Sequence, residues 1–281
     1  MNYAYCRTAY SQNKMPRIDQ CVCPLWVPEC GKPELIGTGT LLIVEQTRFL
    51  ITAAHVTDIA VNGTLLVGNQ KGFQKIRGYG KATQHVSGSR QDDRNDTAVI
   101  KLTEDTVAFI EELFVPLPVN YTDVNGSFHS GVPYEFSGYP WRKVQLEKTE
   151  AILEPRLYTF RVESIPETNY GVLGIAPHTH IAVKFDPKQV TDANGRTVAA
   201  PNPEGMSGGP VWRFTPTDLG GRLIWTPSLA GIVIEYISSK QTLIGVRINA
   251  ALEGIRRLSP NLSASIPVNP SLEIICRDYH E

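Results

Sequence analysis

A histidine, an aspartate and a serine, each set among small and apolar residues, stand in that order along the chain. His55 ends the run Leu50-Ile51-Thr52-Ala53-Ala54-His55, which follows Gly37-Thr38-Gly39-Thr40-Leu41-Leu42 across a short polar turn. The small Ala53 and Ala54 let an imidazole lie close to the neighbouring backbone. Asp96 opens Asp96-Thr97-Ala98-Val99-Ile100-Lys101-Leu102 and so places a carboxylate at the mouth of an apolar strand, where burial can hold it rigid. Ser207 lies in Pro203-Glu204-Gly205-Met206-Ser207-Gly208-Gly209-Pro210-Val211-Trp212. Glycines on both sides of a serine permit a tight turn, and their missing Cβ atoms let a substrate carbonyl approach the backbone.

The chemistry these types can do is nucleophilic acyl transfer. A serine hydroxyl is a weak nucleophile alone and needs a base within hydrogen-bond reach, itself oriented by a third group. His55 is the expected base, taking the Ser207 proton and passing it to the leaving amine. Asp96 is the expected orienting group on the other ring nitrogen. The backbone N–H groups of Gly205 and Ser207 are the expected oxyanion hole, in which one lost donor costs about 3–4 kcal/mol of transition-state stabilisation.

Competing assignments are weaker. Gly-x-Ser-x-Gly also spells the α/β-hydrolase nucleophile elbow, but that elbow needs a helix after the serine and a histidine downstream. Here Gly-Gly-Pro-Val-Trp follows, and only His280 lies beyond. Asp92 and Asp93 sit in a polar run that reads as a solvated loop. His85, His129, His178 and His180 read as surface or loop histidines. His178-Thr179-His180 has alternating spacing without an obvious third metal ligand. Trp141 and Trp212 read as core or cleft-lining aromatics.

The elements that must position these groups are short strands. Leu41–Val44, Phe49–Thr52, Leu65–Val67, Thr97–Ile100, His180–Lys184 and Leu229–Ile234 are short apolar runs, many of them β-branched. They are punctuated by 23 glycines and 20 prolines, a pattern of sandwiches and barrels. Helical signal is confined to Val107–Phe114 and Asn249–Leu258, the latter with Asn249 as a possible cap. We expect a first unit over 33–120 carrying His55 and Asp96, and a second over 121–258 carrying Ser207 and a C-terminal helix. The polar, Cys-rich segment 1–32 is expected to be an extended arm, and 259–281 a tail.

Composition narrows the classes. The 281 residues are 42% hydrophobic and 20% charged, with a formal net charge of -1. Neither a nucleic-acid partner nor a membrane partner is expected, because there is no basic excess and no apolar stretch long enough to span a bilayer. The start at Met1, without a charged and apolar leader, favours a cytoplasmic location. Asn62, Asn95, Asn120, Asn125 and Asn261 head Asn-x-Ser/Thr triplets, best taken as chance. Of the five cysteines, Cys6, Cys21, Cys23, Cys30 and Cys276, reduced thiols are the default. A zinc site among the first four, or a disulfide from the N-terminal segment to the body or to Cys276, are the alternatives. No cofactor and no catalytic metal is expected.

Taken together and in order, Thr52-Ala53-Ala54-His55, Asp96 to Leu102 and Gly205 to Pro210 resemble the chymotrypsin-like (trypsin-like) serine peptidases. Gly37-Thr38-Gly39, Gly138-Tyr139-Pro140, Leu229-Ala230-Gly231-Ile232 and the helix near Asn249 fit the same order, over roughly 33 to 258. The resemblance implies an all-β fold of two antiparallel six-stranded β-barrels with the site in the cleft between them. In digestive members an Asp precedes the serine and pairs with a freshly cut N-terminus. Met206 stands here, so activation by N-terminal insertion is not expected, and the motif looks more like bacterial and intracellular relatives. The resemblance places the specificity pocket floor near Pro201 and Asn202, where no acid sits. It makes Val233, Ile234, Glu235 and Tyr236 the strand that walls the pocket and pairs with substrate backbone. Tyr236 stands where glycine is usual and would narrow the pocket, and Glu235 could supply charge. The expected function is a serine endopeptidase of restricted specificity acting on a protein or peptide substrate, with a possible regulatory protein partner. A silent binding or scaffold module of the same fold, or esterase or other acyl-transfer use of the triad, are the alternatives.

Overall fold

The structure is a computed structural model that describes residues 17–280 apart from 30–31, 61–63, 70–71, 86, 126–132, 142–144, 147–152, 193–195, 268–271 and 273. Cys6, Cys30, Asn62 and His129 lie outside the described residues. The strands are β1 (Val22–Glu29), β2 (Lys32–Val44), β3 (Thr47–Ala53), β4 (Leu66–Asn69), β5 (Gly72–Lys75), β6 (Gly78–Thr83), β7 (Thr97–Leu102) and β8 (Leu117–Pro118) in the first half. The second half holds β9 (Pro133–Gly138), β10 (Gln145–Leu146), β11 (Leu153–Glu154), β12 (Tyr158–Glu163), β13 (His180–Lys184), β14 (Val190–Asp192), β15 (Thr197–Val198), β16 (Pro210–Leu219), β17 (Arg222–Ile237) and β18 (Thr242–Arg247). The last strand is β19 (Cys276–His280). Helices are short: α1 (Ala54–Ile59), α2 (Glu104–Glu111) and α3 (Asn249–Leu258).

Two curled sheets and a separate two-stranded ribbon, β10 with β11, result among the described residues. The first runs β19-β6-β7-β3-β2-β1-β4-β5 with β8 added in parallel on β2, and the second runs β13-β18-β17-β16-β9-β12-β14-β15. The all-β, two-sheet architecture is the one expected. Each sheet exceeds six strands because short strands and the C-terminal strand join the edges.

The apolar runs occupy the covered positions. Phe49, Leu50, Ile51 and Ala53 of β3 have no exposed surface, because β3 lies between β2 and β7. The second sheet closes on an aromatic cluster in which Phe136, Phe160 and Phe185 lie with ring centroids 5.4 to 5.7 Å apart. Removing one such buried ring costs about 3–5 kcal/mol.

Three expectations about the periphery are corrected. Val22–Glu29 is not part of an arm: β1 pairs with β2 and β4, and Val22, Leu25 and Trp26 lie in the core. The segment after 258 is not a loose tail: β19 pairs with β6 from Cys276↔Thr83 to His280↔Tyr79. Helix α3, expected with the second unit, packs mainly against β6 and β7 of the first sheet and also touches β18 of the second, with Gly254 close enough to Val99 that a Cβ there would lie 3.0 Å from Cγ2. Asn249 is the first helical residue rather than a cap, and its amide donates to Val124 O at 3.2 Å.

Cys21, Cys23 and Cys276 are free thiols, which removes them from the disulfide alternative. Cys21 and Cys23 are fully buried, and burial pushes the Cys21 thiol up to about 12 and raises that of Cys23 too. No three His, Cys, Asp or Glu residues converge as a metal-binding group among the described residues. No described helix is long and apolar enough to cross a membrane.

Candidate active site

His55 is delivered by the first turn of α1, directly after β3. Asp96 immediately precedes β7, which pairs with β3 so that Ala53 faces Thr97. This register brings the two side chains together. His55 Nδ1 lies 2.5 Å from Asp96 Oδ2, and the His55 backbone N–H donates to Asp96 Oδ1 at 2.9 Å. Ala54 N–H donates to the Asp96 carbonyl at 2.9 Å. Asp96 takes a left-handed φ of 31°, a conformation that persists only where the surroundings enforce it. Among the described residues His55 Nε2 has no hydrogen-bond partner, which leaves it available as a base.

The Asp96 loop is braced from both sheets. Arg90 reaches Asp58 through Nε at 2.7 Å, Thr83 O through Nη1 at 2.7 Å, and the Asp93 carboxylate, and its Nη1 is 4.0 Å from Asp96 Oδ1. Asp93 is buried and also accepts from Thr83 Oγ1 at 2.7 Å and from Asn95 N–H at 3.1 Å. The expectation of a solvated loop therefore fails for Asp93, because these donors compensate its burial. His180 is likewise corrected from a surface histidine. It is buried on β13, its Nε2–H donates to Arg94 O at 2.8 Å, and its Nδ1 lies 2.7 Å from Thr179 Oγ1. It clamps the Asp96 loop of the first sheet to the second. Burial lowers its pKa.

Ser207 sits in the turn before β16. The turn is docked on β2 by three bonds: Thr38 N–H to Ser207 O at 2.9 Å, Thr38 Oγ1 to Gly205 O at 2.8 Å and Thr40 Oγ1 to Gly208 O at 3.0 Å. Gly37 links the histidine and serine segments, since a Cβ there would lie 2.7 Å from Val56 Cγ1 and 3.4 Å from Ser207 O. Gly208, at φ 87°, lies so close to β2 and β3 that a Cβ would fall 2.1 Å from Thr38 O. Ser207 Oγ makes no hydrogen bond among the described residues; such contacts often tighten only with substrate bound.

Peptide planarity fixes where the loop's N–H groups point. A trans peptide aims its C=O and N–H in opposite directions, and no cis bond occurs among the described residues. Glu204 O accepts Trp141 N–H at 2.8 Å, so Gly205 N–H points away from Trp141. Met206 O accepts Gly209 N–H at 2.9 Å, so Ser207 N–H points away from Gly209. Neither Gly205 N–H nor Ser207 N–H donates to another group among the described residues.

Beside His55 and Asp96 lies a cleft of about 360 Å³ whose lining includes His180, Ile175, Ile234 and Glu235. Of the residues expected to bind substrate, the structure brings Ile234 and Glu235 to this cleft. Val233 instead holds the nucleophile turn, accepting Gly208 N–H at 2.7 Å and donating to Gly209 O at 2.8 Å. Its N–H is therefore not free to pair with a substrate backbone. Pro201 is buried, Asn202 is exposed with its amide 3.3 Å from Glu204 Oε2, and the Tyr236 ring packs edge-on to Phe185 at 5.6 Å. These three are not in the lining of the cleft. Met206 is fully buried against Gly138. Trp212 is buried as expected, whereas Trp141 is 43% exposed. Sequence patterns passed over Thr38, Arg90 and His180; the Thr-Gly-Thr alternation beside Gly37 was the one signal for the first.

No protein-family model matches the chain, and no curated protein sequence matches it. Among solved structures, neuropsin, a serine protease expressed in the limbic system of mouse brain, superposes with a TM-score of 0.50 and 16% sequence identity. The match covers 85% of this chain and 94% of the neuropsin chain. The fold is chymotrypsin-like. On this chymotrypsin-like frame one sheet carries the His55–Asp96 pair and the other the serine turn.

Proposed function

We propose that the protein is a serine endopeptidase with Ser207 as nucleophile, His55 as base and Asp96 as orienting carboxylate. One observation carries this reading. Asp96 binds His55 at Nδ1, and among the described residues Nε2 has no partner while the serine turn keeps two unused N–H groups, those of Gly205 and Ser207. In the proposed cycle Ser207 Oγ attacks a peptide carbonyl while Nε2 takes its proton. The oxyanion is held by Gly205 and Ser207 N–H. Collapse breaks the C–N bond as Nε2 returns the proton to the leaving amine, and an ester to Ser207 remains. Water then repeats the sequence and frees the acid.

The substrate is a protein or peptide segment. A small or apolar preference rests on the lack of an acid at Pro201 and Asn202, where the resemblance places the pocket floor. Restricted specificity, a regulatory protein partner, a cytoplasmic location and kinship with bacterial and intracellular members belong to the same proposal. The last rests on the Gly205–Pro210 motif and Met206.

A fluorophosphonate probe tests the assignment. Wild type should label and Ser207→Ala should not, with peptide and ester panels showing which bond is preferred. Failure of wild type to label would favour a binding module of the same fold.

A further inference from the structure

The serine turn lacks the acid that would pin it through an ion pair, since Met206 occupies that place and is wholly buried. Something else must fix the peptides around Gly205. Gly205 has φ 89° and no side chain to restrict it, so the peptide planes on either side of its Cα can rotate unless each is tied. The plane before it is tied by Trp141 N–H to Glu204 O. The plane after it is held at its N–H end by Met206 N–H to Pro203 O at 2.9 Å and at its carbonyl end by Thr38, whose hydroxyl donates to Gly205 O at 2.8 Å and accepts Tyr139 N–H at 3.0 Å. Thr38 is wholly buried. Because its hydroxyl has a single proton and Tyr139 N–H can only donate, that proton is directed to Gly205 O. Thr38 is itself held, its carbonyl accepting Thr52 Oγ1–H at 2.8 Å and its N–H bound to Ser207 O.

We propose that Thr38 is a positioning residue whose buried hydroxyl, fixed by Tyr139 N–H, holds the Gly205–Met206 peptide, the link between the two peptides that carry the Gly205 and Ser207 N–H groups, and thereby sets the mutual angle of these two oxyanion-binding donors. The inference rests on the serine-peptidase assignment and adds to it how the site is assembled without a cleaved N-terminus. The lock comes from β2 in one sheet and acts on the turn of the other. Docking of the two sheets and formation of the anion site are thus one event.

The test compares Thr38→Val, which keeps the β-branched shape and removes the hydroxyl, with Thr38→Ser, which restores it. Thr106→Val is the control: Thr106 is equally buried, accepts Arg77 N–H at 3.0 Å and lies on α2, away from the serine turn. Thr38→Val should slow fluorophosphonate labelling and kcat on the order of a hundredfold, the scale of one lost oxyanion donor. KM should stay within about threefold, because the lock acts on the transition state. Affinity for a peptide aldehyde, which forms an oxyanion on Ser207, should fall with kcat. Thr38→Ser should recover most of both, and Thr106→Val should label as wild type does. Equal slowing in Thr38→Val and Thr106→Val, or a change confined to KM, would overturn the proposal. If Thr38→Val does not fold, crystal structures of wild type and Thr38→Ser decide: the residue-38 hydroxyl on Gly205 O supports it, and a hydroxyl turned elsewhere overturns it. If wild type itself does not label, the peptidase assignment fails separately. The lock is then judged from crystal structures of wild type and Thr38→Val, and an unmoved Gly205–Met206 peptide refutes it.

Discussion

The Asp96 carboxylate holds His55 at two points, the ring Nδ1 at 2.5 Å and the backbone N–H at 2.9 Å. Ring orientation and the start of α1 are set by one side chain. Asp96→Asn would keep an acceptor for the backbone N–H but would present an amide NH₂ to Nδ1, forcing the proton onto Nε2. kcat should fall roughly 10⁴-fold with a folded protein. Steady-state kinetics with thermal melting checks this; loss of less than about tenfold would remove Asp96 from the mechanism.

Arg90 gathers Asp58, Asp93 and the neighbourhood of Asp96 under one guanidinium. The Asp93 side chain is 2% exposed, so Arg90→Met would leave its charge buried with the neutral donors Thr83 Oγ1 and Asn95 N–H but without its cation. The expected cost is about 3 kcal/mol in urea unfolding. Arg277→Ala, which breaks a more exposed pair with the same Asp58, should cost roughly 0–1 kcal/mol. Equal costs would mean that burial of Asp93 is not what gives Arg90 its weight.

His180 gives stability a pH dependence of known sign. Burial lowers its pKa from 6.5, opposed by its bonds to backbone and aided by Arg94 and His178. Below about pH 6.5 the unfolded chain therefore binds a proton that the folded chain refuses. Its contribution is complete above 6.5 and declines as pH falls through that value toward the lowered folded pKa. Urea midpoints at pH 7.5 and 5.5 should differ more in wild type than in His180→Gln, whose amide can still donate to Arg94 O. An unchanged difference would exclude His180 as the source.

Cys21 and Cys23 should resist alkylation by N-ethylmaleimide at pH 8 in the native protein, since burial raises both thiols. Cys276, only partly buried, should react ahead of them, and all three should react in urea. Peptide mapping by mass spectrometry reads each site. Native Cys21 or Cys23 reacting as fast as Cys276 would contradict the packing of β1 and its lead-in.

Much of the architecture is legible along the chain because its signals are local. Apolar runs such as Leu50–Ala53 identify strands whatever they pair with. The glycines around Ser207 mark a turn that a bulkier residue could not make. What the local pattern hides is pairing at a distance. Val22–Glu29 alternates too poorly, with Pro24 and Pro28 in it, to announce a strand, yet β2 and β4 capture it. Cys276–His280 becomes a strand only because the edge of β6 is open to it.

By itself the sequence determined the order His55, Asp96, Ser207 and an all-β class of short strands, since each follows from residue type and near-neighbour spacing; the two-barrel arrangement and the missing acid at Met206 were implied by the resemblance of its motifs. Only the tertiary structure decided that Asp93 and His180 are buried braces, that Val233 holds the serine turn and that Thr38 ties it to the opposite sheet. Those roles depend on hydrogen bonds between residues as far apart as Thr38 and Gly205, and a hydroxyl carries no mark of its partner until the two sheets meet.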